Sequence, residues 1–211
     1  MSFLAADPAR AAGKKADIVL SRADGKTVTV PMSGALHDAR AAMLAREIQT
    51  LDAAIRDARA LATSGSASEA RAAMLDVAVE SREDAVRELE LALAVARLTS
   101  AGKLDDESVG KAQDYASAVK TVLSAQAPNS IFVATDISTS VPDATLHYMS
   151  KGKYNAKSKE WSSYTAGERM RIGRYVFRVQ PADAAEVYEE FVLVTSDPTK
   201  KRLSPLRAAN P

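Results

Sequence analysis

An α+β fold is expected: an N-terminal β-hairpin, a three-helix antiparallel bundle or long helical hairpin, then a C-terminal β-sandwich. Three observations predict it. Composition changes near Pro128: nine of the eleven aromatic residues follow Ser130, while alanine dominates before it. Alanine and leucine favour helix, whereas aromatic and β-branched residues favour strand. Two long segments before Pro128 repeat apolar residues at heptad spacing, and the segment after it alternates apolar and polar residues. Charge divides at the same place. Residues 1–129 carry 16 basic and 18 acidic side chains, and residues 130–211 carry 12 and 9.

In chain order, residues 1–16 read as a flexible arm. Residues 17–128 read as the hairpin and helices, 129–198 as the sandwich and 199–211 as a polar tail. Asp24-Gly25 lies between the β-rich runs Ile18–Leu20 and Thr27–Val30, which is a hairpin signal. A hairpin alone is marginal in water, so it must pack on the helices, the β domain or another chain.

The first helix is expected over about 35–62, on the seam Leu44, Ile48, Leu51, Ile55, Ala58 and Ala62. Ser64-Gly65-Ser66 ends it. The second spans about 68–98, with Leu75, Val79, Arg82, Val86, Leu89, Leu93 and Ala96 on its seam. So short a link favours an antiparallel pair. The stretches DARAAML from Asp38 and EARAAML from Glu69 are near copies, a weak sign of duplication. A third helix runs from Asp106 to about Ala125, with Asp105 as N-cap and Val109, Ala112, Ala116, Val119 and Leu123 inward. Arg82 interrupts an apolar seam, and its expected solution is to snorkel to the edge. The acidic crowd Glu80, Glu83, Asp84, Glu88 and Glu90 reads as a solvated face with a Glu83–Arg87 pair.

Four strands are expected: IFVAT, TLHYM, RYVFRV and EEFVLV. Turn residues separate them at Val141-Pro142-Asp143, Lys151-Gly152-Lys153, Ile172-Gly173-Arg174 and Pro181-Ala182-Asp183. Short strands so punctuated suit a sandwich.

The stretches STSVPDATLHY (Ser138–Tyr148) and RIGRYVFRV (Arg171–Val179) resemble the PEGA domain, a small bacterial β-sandwich module. Ser140, Pro142, Ala144, Gly173 and Tyr175 sit at the turn and strand positions of that pattern. Asp143 stands where glycine is usual, and YNAKSKEWSSY replaces a shorter glycine turn. The resemblance covers about a third of the chain. It implies a scaffolding or presenting role and no catalytic residue.

Chemistry is sparse. The chain has no cysteine, so disulfides and thiolate sites are excluded. His37 and His147 fall in different segments, with no carboxylates at ligand spacing, so no metal or other cofactor is expected. No phosphate loop, nucleophile elbow or Ser/His/Asp set occurs, and no enzyme is expected. One segment invites recognition: Lys151, Lys153, Tyr154, Lys157, Lys159, Trp161 and Tyr164 interleave charge with aromatic rings. It is read as a candidate binding surface, against the plainer reading of a solvated hairpin whose Trp161 covers the sandwich edge. A protein partner or self-association is favoured and a glycan comes next. Nucleic acid is disfavoured, since the net charge is only +1. No run reaches the roughly 18 apolar residues of a membrane span. The expected compartment is the cytoplasm, or the periplasm if an export signal has been removed.

Overall fold

In a computed structural model the described residues are 15–63, 68–99, 102–183 and 186–204. The elements, in order, are β1 (Ile18–Ser21), β2 (Thr27–Val30), α1 (Ala39–Thr63), α2 (Glu69–Leu98) and α3 (Asp106–Ser124), then β3 (Phe132–Thr139), β4 (Thr145–Ser150) and α4 (Lys151–Asn155), then β5 (Ser162–Ser163), β6 (Arg169–Arg171), β7 (Gly173–Gln180), β8 (Tyr188–Val194) and β9 (Thr199–Leu203). This is the α+β class, with a two-stranded sheet, helices and then two further sheets. Residues 1–14 of the expected arm and the Ser64-Gly65-Ser66 turn lie outside the described residues. No described helix is long and apolar enough to cross a membrane.

Two compact units form, one from residues 1–52 and 82–117, the other from 53–81 and 118–211. Each of the three long helices contributes a stretch to both.

The first unit holds the hairpin. β1 and β2 pair antiparallel, with Gly25 at φ +79° in the turn, a conformation that favours glycine. Alternation buries Ile18, Leu20, Val28 and Val30 and exposes Val19. Leu44, Ile48, Leu51, Val86, Leu89, Leu93, Val109, Ala112 and Ala116 complete the apolar interior, as the seams require. Asp105 caps α3: its carboxylate accepts from the Ser108 hydroxyl and backbone and from the Glu107 backbone. Those bonds, the Ser108 hydroxyl first, hold Asp105 below the usual carboxylate range.

Two expectations about α2 are corrected here. Arg82 does not snorkel; it is 6% exposed. Its Nε and Nη2 donate to the two Asp52 oxygens at 2.7 and 2.9 Å, and Nη1 donates to Glu83 at 2.8 Å and to the Ser21 carbonyl. The acidic crowd is not merely a solvated face either. Glu83 accepts from the Ala23 backbone at 3.1 Å, and Glu90 accepts from Arg22. These groups clasp the hairpin turn, Glu83 accepting from the Ala23 N–H and Arg82 donating to the Ser21 carbonyl. Arg87 therefore lies 3.8 Å from Asp84 instead of pairing with Glu83.

In the second unit β3 is the middle strand of a sheet ordered β6-β3-β9, antiparallel to β6 and parallel to β9. The other sheet, β5-β4-β7-β8, is antiparallel throughout. The expected polar tail is corrected: Thr199–Leu203 is a strand whose two end residues are buried. Three charged residues between them hid the pattern. Residues 205–211 lie outside the described part.

Pairing assigns the faces of β7. Tyr148, Tyr175, Phe177 and Val179 turn toward the three-stranded sheet, where Val133, Thr135 and Ile137 are buried. The reverse face carries Met149, Arg174, Val176 and Arg178. Met149 and Val176 are buried there, and Arg174 reaches 4.0 Å from Glu80 of α2.

Candidate functional site

The segment expected to be a loop is partly helical. Ser150 caps α4 by accepting from the Lys153 backbone, and α4 packs on β4 and β7. The helix ends without glycine. Lys157 takes φ +57°, its N–H bonds the Tyr154 carbonyl at 2.9 Å, and the Ser158 N–H bonds the Lys153 carbonyl at 3.0 Å. That is the Schellman arrangement, which leaves the following residues at a set angle. Trp161 and β5 come next.

Around this turn opens a cleft of about 620 Å³, lined by Tyr154, Asn155, Lys157, Ser158, Lys159, Trp161 and Arg178. Its wall is ordered by one cross-strand pair. Arg178 on β7 faces Glu189 on β8 and donates to it through Nε and Nη2 at 3.1 and 2.6 Å. The guanidinium carbon lies over Trp161, 3.9 Å from the ring centroid. Tyr154 donates its hydroxyl to Glu189 at 2.7 Å and sets its ring 76° to the indole, 6.3 Å away. Lys151 lies 5.3 Å over the Tyr154 ring. Lys153 is 3.4 Å from Glu160.

Comparison with family models, with curated proteins and with solved structures finds no match for this chain.

Of the seven residues singled out in the sequence, Tyr154, Lys157, Lys159 and Trp161 line the cleft. Lys151 and Lys153 support it from α4 without lining it. Tyr164 belongs elsewhere, which is a correction. Its hydroxyl donates to the Thr135 carbonyl at 2.9 Å and accepts from the Ile137 N–H at 3.0 Å, and its ring meets Phe177 edge-on at 5.2 Å. Trp161 and Tyr164 are three residues apart in an extended segment, so they fall on opposite faces of the sheet. Arg178 and Glu189 were not singled out, although alternation in RYVFRV places Arg178 opposite the Phe177 face.

Beside Tyr164 sits a second phenol network. Tyr148 donates to Glu168 at 2.7 Å and packs on Phe177 and Tyr175. Burial and that bond push its hydroxyl up to about 12. His37 is exposed, and His147 lies on β4 with Nε2 3.4 Å from the Thr145 hydroxyl. Among the described residues no three His, Asp or Glu side chains gather as a metal site.

Proposed function

We propose that this chain is a non-enzymatic interaction protein whose Trp161 cleft contacts a partner, with the helices serving assembly. The observation that carries the reading is the Glu189–Arg178–Trp161 stack. A mobile tryptophan loses rotamer freedom when it binds; Trp161, half-buried, is already held by a guanidinium that is itself held by a carboxylate. A preorganised tryptophan beside a tyrosine, with lysines around it, has the composition of a binding hot spot. The PEGA-like reading of the strands belongs to the same proposal and suits presentation. In its support, Asp143, where that pattern has glycine, takes φ +53°.

The double substitution Trp161→Ala with Tyr154→Ala tests the proposal. Capture of the partner is expected to be lost while the circular dichroism melt is unchanged. A melt lowered by several degrees, with binding lost only through unfolding, would show that Trp161 merely covers the sheet.

A further inference from the structure

The cations around the cleft are not equivalent. Arg178 is matched by Glu189 and Lys153 by Glu160. Lys157 and Lys159 line the cleft and form no ion pair among the described residues. Glu189 already serves Tyr154 and Arg178. An occupant therefore meets an apolar aromatic wall with uncompensated positive charge at its rim. The ordinary explanation of surface lysines is solubility. It does not account for their placement on the same cleft as the one tryptophan in the chain.

We infer that the cleft takes an acidic peptide: an extended segment whose carboxylates meet Lys157 and Lys159 while its aliphatic carbons lie against Trp161 and Tyr154. The inference rests on the cleft being a contact surface. Charge complementarity selects an anion. Ring electronics select peptide over sugar. Each ring already has a cation on one face, Arg178 on Trp161 and Lys151 on Tyr154. A cation on one face draws on the π density of the whole ring and so weakens the pull of its other face on polarised sugar C–H groups. Ion pairing to the lysines and aliphatic contact lose nothing by it. A volume of about 620 Å³ accommodates a few side chains, whereas a nucleic-acid strand needs a longer basic track.

Because Trp161 is the only tryptophan, its emission in the full chain reports on this cleft alone. The probes are a short peptide alternating glutamate with leucine, the same peptide with glutamine for glutamate, and an oligogalacturonate. The glutamate peptide is expected to shift the emission saturably and more weakly as salt rises, and the glutamine peptide to bind about tenfold more weakly. In the double variant Lys157→Glu with Lys159→Glu, binding falls about tenfold or more with an unchanged melt. Equal binding of the two peptides, or an unaffected double variant, overturns the inference. So does an oligogalacturonate that binds where the peptide does not, although the cleft would then still be a contact surface. If no probe binds yet partner capture still depends on Trp161 and Tyr154, the peptide inference falls and the contact reading stands. Capture that survives loss of both aromatic rings removes the contact reading itself.

Discussion

Arg82 and Arg178 make similar bonds in different regions, and the contrast shows what surroundings do to one chemical pair. Arg82 is enclosed, with Asp52, Glu83 and the Ser21 carbonyl around it. Burial works against its charge, but the bonds and charges of Asp52 and Glu83 outweigh that, and its pKa lies above the ordinary value. Arg178 has one carboxylate, a third of its side chain in solvent and its guanidinium over an indole. A buried guanidinium is hard to remove because its partners are left charged and dry. A half-exposed one contributes little to stability, since water replaces it. The first ties a hairpin to helices; the second aims a tryptophan.

Matched variants can break that contrast. Arg82→Met is expected to cost about 3 kcal/mol, because Asp52 and Glu83 lose their cation and the Ser21 carbonyl its donor. Arg178→Met should cost less than about 1 kcal/mol. Urea denaturation of both measures the difference. Equal losses would mean that the two pairs are alike and that burial decides nothing here.

Tyr164 and Trp161 form the same contrast within one segment. Tyr164→Phe keeps the ring on Phe177 but leaves the Thr135 carbonyl and Ile137 N–H, both in the sandwich interior, without the hydroxyl. A loss of about 2 kcal/mol is expected, with binding at the cleft untouched. Weakened cleft binding with an unchanged melt would return Tyr164 to the site.

This pair also marks how far the sequence could be read. Heptad seams located α1 and α2 and an inward stripe located α3, because each buried face is a local repeat; the register drifts at one end, where Met74, Val77 and Val122 are buried and the expected Leu75, Val79 and Leu123 are only half-buried. Asp24-Gly25 located the hairpin for a similar reason. Four strands were legible through alternation; β5 and β6 were not, having only two and three residues, nor was β9, where Lys200, Lys201 and Arg202 hide the two buried ends. Arg82 was misread because its partners, Ser21 and Asp52, lie 61 and 30 residues away. Tyr164 was misplaced by grouping along the chain where the period of two separates faces. Arg178 escaped notice because its role depends on Glu189 in the next strand and on Trp161 just before β5.

A smaller effect appears in alkali. The Tyr148 hydroxyl is raised from 10.0 to about 12, first by burial and then by its bond to Glu168. The folded state therefore holds this proton more tightly than the unfolded chain. That contribution is complete below pH 10 and disappears as pH rises toward about 12. Tyr148→Phe is expected to flatten the fall in melting temperature across that window, leaving the part due to Tyr175, which burial also raises. An identical fall in both proteins would show that Tyr148 is not the group responsible.

The smallest expected change has the opposite sign. Lys157 sits at φ +57°, where a residue with a Cβ is disfavoured by about 1 kcal/mol and glycine is not. Glycine brings extra freedom to the unfolded chain, about 0.5–1 kcal/mol, which offsets much of the gain. Lys157→Gly should therefore raise stability by a few tenths of a kcal/mol at most. It also removes one of the two rim cations while preserving the turn that sets Lys159 and Trp161. Binding of the glutamate peptide should weaken several-fold as the melt holds or rises, which no general loosening of the turn would produce. If glycine is tolerated and binding is unchanged, Lys157 is a solvated residue in an awkward conformation, and the charge at the cleft must be assigned to Lys159 alone.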